Sequence, residues 1–137
     1  MYMVINAASE LPIYRQLMRQ VMDGIAGGHL RPGEQLPSHR ELSEQLAIAP
    51  LTVKKAYDEL EAQGYLETVR GRGTYVSARP PAQSPKVRTA ALHDLAKTLV
   101  AQAYLAGLGL SDVLALVEDA DHALLTPPAK AGRFRNP

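Results

Sequence analysis

Gly64 separates two incompatible periodicities in the first half of this chain, and that break most restricts the fold. Before it, apolar residues recur at helical spacing: Ile13, Leu17, Val21 and Ile25 with Met18 beside them, then Leu42 and Leu46, then Val53, Ala56, Tyr57 and Leu60. After it, Tyr65–Arg70 and Thr74–Ser77 are β-prone runs joined by Gly71-Arg72-Gly73, which describes a hairpin with a glycine-rich tip. The helices have their own punctuation. Pro12 suits a first helical turn, and Gly27-Gly28 stops that helix. After the Pro32-Gly33 turn, Glu34–Pro37 runs extended. Ser38 is then placed to cap a second helix, with Glu41 completing a capping box. A short turn at Ala47–Ala49 leads to Pro50, which opens the third helix, and Gly64 sits at its left-handed end. Three helices followed by a hairpin predict a winged helix-turn-helix, mostly α with a small β-hairpin.

A second division falls at Arg79–Pro85, where three prolines stand without apolar periodicity. The chain is therefore expected to comprise a head over residues 1–78, a linker over 79–86, a helical tail over 87–125 and a disordered basic end over 126–137. In the tail, Ala91, Leu92, Leu95, Leu99 and Ala103 form a stripe widened by Ala96 and Val100. A turn follows at Gly107–Gly109. Ser111 is expected to cap a second tail helix, with Leu114, Val117 and Val113 facing inward. Two short helices bury too little apolar area to stand alone. A second copy is the simplest partner, with Leu92, Leu95, Leu99, Ala103, Leu114 and Val117 at a homodimer interface. The alternative is that the tail packs back on its own head.

Composition excludes more than it selects. With no cysteine among 137 residues, disulfides, thiol nucleophiles and Cys-based metal sites are ruled out. His29, His39, His93 and His122 are too scattered to predict a metal site. No cofactor fingerprint and no nucleophile–base constellation is present, so no enzyme is expected. No apolar run is long enough for a bilayer, and the N-terminus lacks the order of a signal peptide, so the expectation is a cytoplasmic protein. The net charge of +1 gives no support for nucleic acid, and residues 1–77 carry eight Lys/Arg against nine Asp/Glu. A DNA partner must be argued from where the positive charges sit.

Their placement does favour one. With Val53, Ala56, Tyr57 and Leu60 turned inward, Leu51, Thr52, Lys54 and Lys55 are left on the outer, N-terminal part of the third helix. In this architecture that helix enters the major groove. Arg40 lies in the first turn of the second helix, and Arg70 and Arg72 bracket the wing tip. A blander reading stands beside this one: Lys54–Asp58 and Lys55–Glu59 are i,i+4 pairs that merely support an exposed helix, and a charged wing tip can simply discourage edge pairing.

The blocks Pro12-Ile-Tyr-Arg-Gln-Leu17, Leu30-Arg-Pro-Gly-Glu-Gln-Leu-Pro-Ser-His-Arg-Glu-Leu-Ser43, Leu51-Thr-Val-Lys-Lys-Ala-Tyr-Asp-Glu-Leu-Glu61, Gly64-Tyr-Leu66 and Gly71-Arg-Gly-Thr-Tyr-Val76 resemble the GntR family of winged-helix repressors. The short tail, with Leu108-Gly-Leu-Ser-Asp-Val-Leu114, is most similar to the YtrA subfamily, whose members lack large ligand-binding domains and often regulate transporter operons. The resemblance implies that Arg40 reads a base, that Thr52 and Lys54 contact base or backbone, and that Arg70 and Gly71 enter the minor groove. The implied DNA-contacting set is Ser38, Arg40, Leu51, Thr52, Lys54, Lys55, Arg70, Gly71, Arg72 and Gly73. Two departures bear on the target sequence. Ala49-Pro50 stands where the family often has Ser-Arg, and His39 replaces an acidic residue. The reading is thus a homodimeric regulator on a pseudo-palindromic double-stranded operator. Its alternatives are a winged-helix protein-interaction module, or a binder released from DNA by a small-molecule effector.

Overall fold

The computed structural model describes residues 3–78 and 85–127. They form two units, a head and a tail. The head contains α1 (Ile13–Ala26), β1 (Gln35–Leu36), α2 (His39–Leu46), α3 (Pro50–Ala62), β2 (Leu66–Val69) and β3 (Gly73–Val76); the tail contains α4 (Pro85–Leu105) and α5 (Leu110–Leu125). α1 begins one residue later than expected, with Pro12 as its N-cap.

Each of these helices up to α4 ends in the same way. The amides of His29, Ile48, Tyr65 and Leu108 reach back five residues to the carbonyls of Gly24, Ser43, Leu60 and Ala103, at 2.8–3.1 Å. That closure needs a left-handed residue just before the donor. Gly28, Gly64 and Gly107 supply it with φ of 78°, 86° and 84°, whereas the turn between α2 and α3 uses Ala47 at φ 54°. A Cβ in that region costs about 1 kcal/mol, so the corner between α2 and α3 is the strained one.

The hairpin belongs to a larger sheet than the sequence suggested. Glu34–Pro37, read as merely extended, contributes β1, which pairs antiparallel with β3 to give the order β1-β3-β2. Gly73, expected in the tip, is already the first residue of β3 and faces Val69. Helices and sheet close around Leu17, Val21, Leu42, Leu46, Val53, Leu60, Leu66 and Val76, all at most 2% exposed.

Two further core residues come from the N-terminal arm, which the sequence left without a role: Met3 and Ile5 are 1% and 2% exposed. Gln16 and Gln20 of α1 hold this arm by their side-chain amides. Gln20 Oε1 accepts from Val4 N–H at 2.9 Å while its Nε2 donates to Val4 O at 2.8 Å. Gln16 does the same with Asn6, at 2.9 Å both ways, and also donates to Leu11 O at 2.8 Å. One helical turn advances about 6 Å over four residues, close to the roughly 6.7 Å of two extended residues. A helix surface can therefore pair like a strand edge.

The tail departs from expectation at its caps. Residues 79–84 of the expected linker and 128–137 of the basic end lie outside the described residues. The final two linker positions are the start of α4. α5 begins at Leu110, so Ser111 is inside it. The end is closed by Asp112, whose Oδ2 accepts from Gly109 N–H at 2.8 Å. A carboxylate accepts two hydrogen bonds and also suits the positive end of the helix dipole, which a hydroxyl matches less well.

Removing the amide of Gln16, which makes three hydrogen bonds, should lower the unfolding free energy by about 2 kcal/mol, because it strands part-buried backbone groups, and removing that of the half-buried Gln20 by about 1 kcal/mol. Urea denaturation of Gln16→Ala and Gln20→Ala checks this; two negligible losses would show that the arm is not held by these amides.

Candidate nucleic-acid interface

The corner between β1 and α2 sets the first part of the site. Ser38 Oγ accepts from Glu41 N–H at 3.1 Å, and Glu41 Oε1 accepts from Ser38 N–H at 3.4 Å, so the capping box forms as read. Arg40 follows two residues later, exposed on the first turn. Ser38 is therefore primarily a cap, and Arg40 is the side chain it presents.

α3 is fastened to this corner by Tyr57. Its ring is buried in the core, and its hydroxyl donates to the Pro37 carbonyl at 2.8 Å. Burial, and secondarily the charge of Glu41, push its pKa above the ordinary value. The hydroxyl thus stays a neutral donor. At the other end of α3, Ala49 offers no side-chain cap. The helix start is left without an internal anionic or hydroxyl partner, as a phosphate-binding helix end requires. Leu51 is exposed there and Thr52 half-buried.

The two lysines of α3 differ. Lys54 Nζ lies 2.7 Å from Asp58 Oδ2, the expected i,i+4 pair. Lys55 instead lies over the ring of Tyr14 on α1, 4.2 Å from its centroid, and does not pair with Glu59. The ring face supplies attraction at less desolvation cost than a carboxylate.

The wing tip is a turn from Val69 to Arg72, closed by Arg72 N–H to Val69 O at 2.9 Å. Gly71, at φ 79°, takes the third position, where a type II turn demands positive φ. Arg70 and Arg72 are exposed on either side. The Arg72 carbonyl accepts from Gln35 Nε2 at 3.1 Å and from Tyr75 Oη at 3.3 Å. Neither Gln35 nor Tyr75 was singled out from sequence; only the β1–β3 register, Gln35 opposite Tyr75, reveals them.

Of the five cations read as one positive face, Lys54 and Lys55 are engaged within the chain. Arg40, Arg70 and Arg72 make no ion pair among the described residues. In the tail, Leu92, Leu95, Leu99, Leu114 and Val117 are exposed, whereas Ala103 is 6% exposed and Val113 3%. Ala103 thus lies in the seam of α4 and α5 rather than on the open stripe. The described residues include no acidic or histidine cluster able to hold a metal, and no helix long and apolar enough to cross a membrane.

Residues 13–76 match the model of the bacterial regulatory proteins, gntR family. The HTH-type transcriptional repressor YtrA of Bacillus subtilis (strain 168) is 39% identical over 106 residues, which is 77% of this chain and 82% of the relative. This chain belongs to the gntR family. The HTH-type transcriptional regulator Rv1152 of Mycobacterium tuberculosis (strain ATCC 25618 / H37Rv) is 42% identical over 75% of this chain and 80% of its own length. Among solved structures, a transcriptional antiterminator from Listeria monocytogenes EGD-e is similar with TM-score 0.77 and 31% identity, covering 91% of this chain and 93% of that one. Membership makes the chain a DNA-binding transcription regulator rather than an enzyme.

Tyr57→Phe should cost about 1 kcal/mol in unfolding free energy. Because the folded-state pKa lies above the unfolded value of 10.0, the hydroxyl's contribution is intact below that pH and lost as pH rises beyond it. Urea denaturation at about pH 8 and about pH 11 should therefore show a smaller alkaline loss in Tyr57→Phe than in the parent. Equal losses would mean that this hydroxyl is not the group responsible.

Proposed function

We propose that this gntR-family chain is a cytoplasmic repressor that binds, as a homodimer, a pseudo-palindromic operator. The observation carrying the reading is that Arg40 on α2 and Arg70 and Arg72 on the wing are exposed and make no ion pair among the described residues, while the acids Glu41 and Asp58 are engaged within the chain. α3 enters the major groove by its uncapped start, presenting Leu51 and Thr52. Lys54 exchanges Asp58 for a phosphate. Arg40 reads a base edge, for which a planar guanidinium is suited to guanine. The wing carries its two arginines to the adjacent groove. The name repressor is borne by Bacillus subtilis YtrA, whose length this chain largely covers.

A head of nearly balanced charge binds weakly alone. Leu92, Leu95, Leu99, Leu114 and Val117 form an uncovered apolar surface on the tail. In the proposed dimer that surface is buried against a second copy, and two heads on one axis read two half-sites. Linking them raises affinity through effective concentration. A small-molecule effector is compatible with this reading but not required by it.

Selection by the full-length chain from a random-sequence duplex pool should enrich an inverted repeat. In fluorescence anisotropy, the enriched duplex should lose affinity steeply with salt, and Arg40→Ala should bind it at least about tenfold more weakly. No enrichment, with binding indifferent to sequence and to Arg40, would leave a protein-interaction module instead. Leu95→Glu should convert the dimer to monomer in sedimentation equilibrium and reduce affinity for the two-half-site duplex by about 100-fold. A wild-type chain that sediments as a monomer would remove the two-headed model.

A further inference from the structure

The carbonyl oxygen of Arg72 receives two side-chain hydrogen bonds, Gln35 Nε2 at 3.1 Å and Tyr75 Oη at 3.3 Å. Strand register creates this convergence. Gln35 and Tyr75 are directly opposite in the β1–β3 pair, so their side chains stand on one face of the sheet. Both then reach over the first residue of β3 to the tip. That residue is Gly73, at φ 125°, and a Cβ there would stand 2.9 Å from Gln35 Nε2. The same residue is also held at its amide by the turn bond of Arg72 N–H to Val69 O, 2.9 Å.

Gln35 has no packing duty that would explain it. It is exposed, β1 is only two residues long, and its neighbour Leu36 supplies the core contact. What Gln35 does is join two reading elements. It spans 37 residues of sequence to hold the wing tip. Its own strand runs through Pro37, itself gripped by Tyr57, into the capped first turn that carries Arg40. A two-stranded ribbon tip closed by one turn bond can swing relative to the helices. A latch from a third strand removes that freedom before DNA arrives.

We propose that Gln35 is a positioning residue for DNA recognition: through the Arg72 carbonyl it fixes the height and orientation of the wing arginines relative to Arg40. The inference rests on the reading that the wing contacts DNA. Its energetic content is preorganisation, since an untethered tip must be ordered on binding.

Gln35→Met keeps the size and removes the donor. By anisotropy on the enriched duplex it should weaken binding about fivefold and lower the salt slope by about 1, as loss of one phosphate contact does. In an Arg70→Ala/Arg72→Ala background the same change should have no further effect, because neither wing arginine remains to be aimed. Thermal unfolding of Gln35→Met should stay close to the parent, and Gln35→Ala provides a second donor-free side chain for the same cycle. Additive losses when Gln35→Met is added to Arg70→Ala/Arg72→Ala, or full affinity of both Gln35 variants while Arg72→Ala is impaired, would overturn the proposal alone. Full affinity of Arg72→Ala and Arg70→Ala would overturn the wing reading and the proposal with it.

Discussion

Tyr57 belongs to α3 by its backbone and to the β1–α2 corner by its hydroxyl, and the mutual placement of α2 and α3 depends on that double membership. Its ring fills the core beside Val53, Ala56 and Leu60. Its hydroxyl grips the Pro37 carbonyl at 2.8 Å, one residue before the cap that starts α2. The two helices are thus related by a hydrogen bond as well as by packing. Packing alone tolerates small rotations, whereas a buried hydrogen bond loses most of its value when its geometry drifts. The left-handed Ala47 between the helices is the compensating strain, held in place because both helices are anchored.

Pairing within the chain divides the basic residues of the head into two groups. The head carries more acids than bases, yet its lysines and arginines are not equivalent. Lys54 is matched to Asp58 and Lys55 lies on Tyr14, so α3 is nearly neutral along its exposed face. Arg40, Arg70 and Arg72 are left without ion pairs among the described residues. Arginine is the better residue to leave free, because its planar fork is weakly hydrated and meets bases and phosphates with two bonds. Which basic side chains are engaged within the chain is information that a count of charges does not carry.

Much of this was legible in the sequence because the relevant signals are local. Helical stripes, Ser38 with Glu41, Pro50 and Gly64 each act within one turn of chain. The features that escaped are those whose partners are distant or whose residue type misleads. β1 has two residues and therefore no periodicity to detect. Gln16 and Gln20 lie off the apolar stripe of α1 and carry no sequence signal of their role, although their amides imitate a strand edge for the arm that buries Met3 and Ile5. Gln35 and Tyr75 gain meaning only from register. Ser111 and Asp112 are adjacent and both capable of capping, so the choice between them needed the backbone path. In the tail, one apolar stripe mixes residues with different fates. Ala103 and Val113 are used within the chain, and the exposed leucines are not.

The ties that hold the proposed reading surface of the head share a property: they grip backbone. Tyr57 takes the carbonyl of Pro37, Gln35 and Tyr75 take the carbonyl of Arg72, and Ser38 and Glu41 exchange bonds with each other's amides. None of them depends on what side chain Arg40, Leu51, Thr52, Arg70 or Arg72 happens to be. Frame and alphabet are therefore separable under mutation. A lineage can exchange the outward residues and drift to new target sequences while its scaffold stays intact, so diversification of recognition within such a fold need not pass through unstable intermediates.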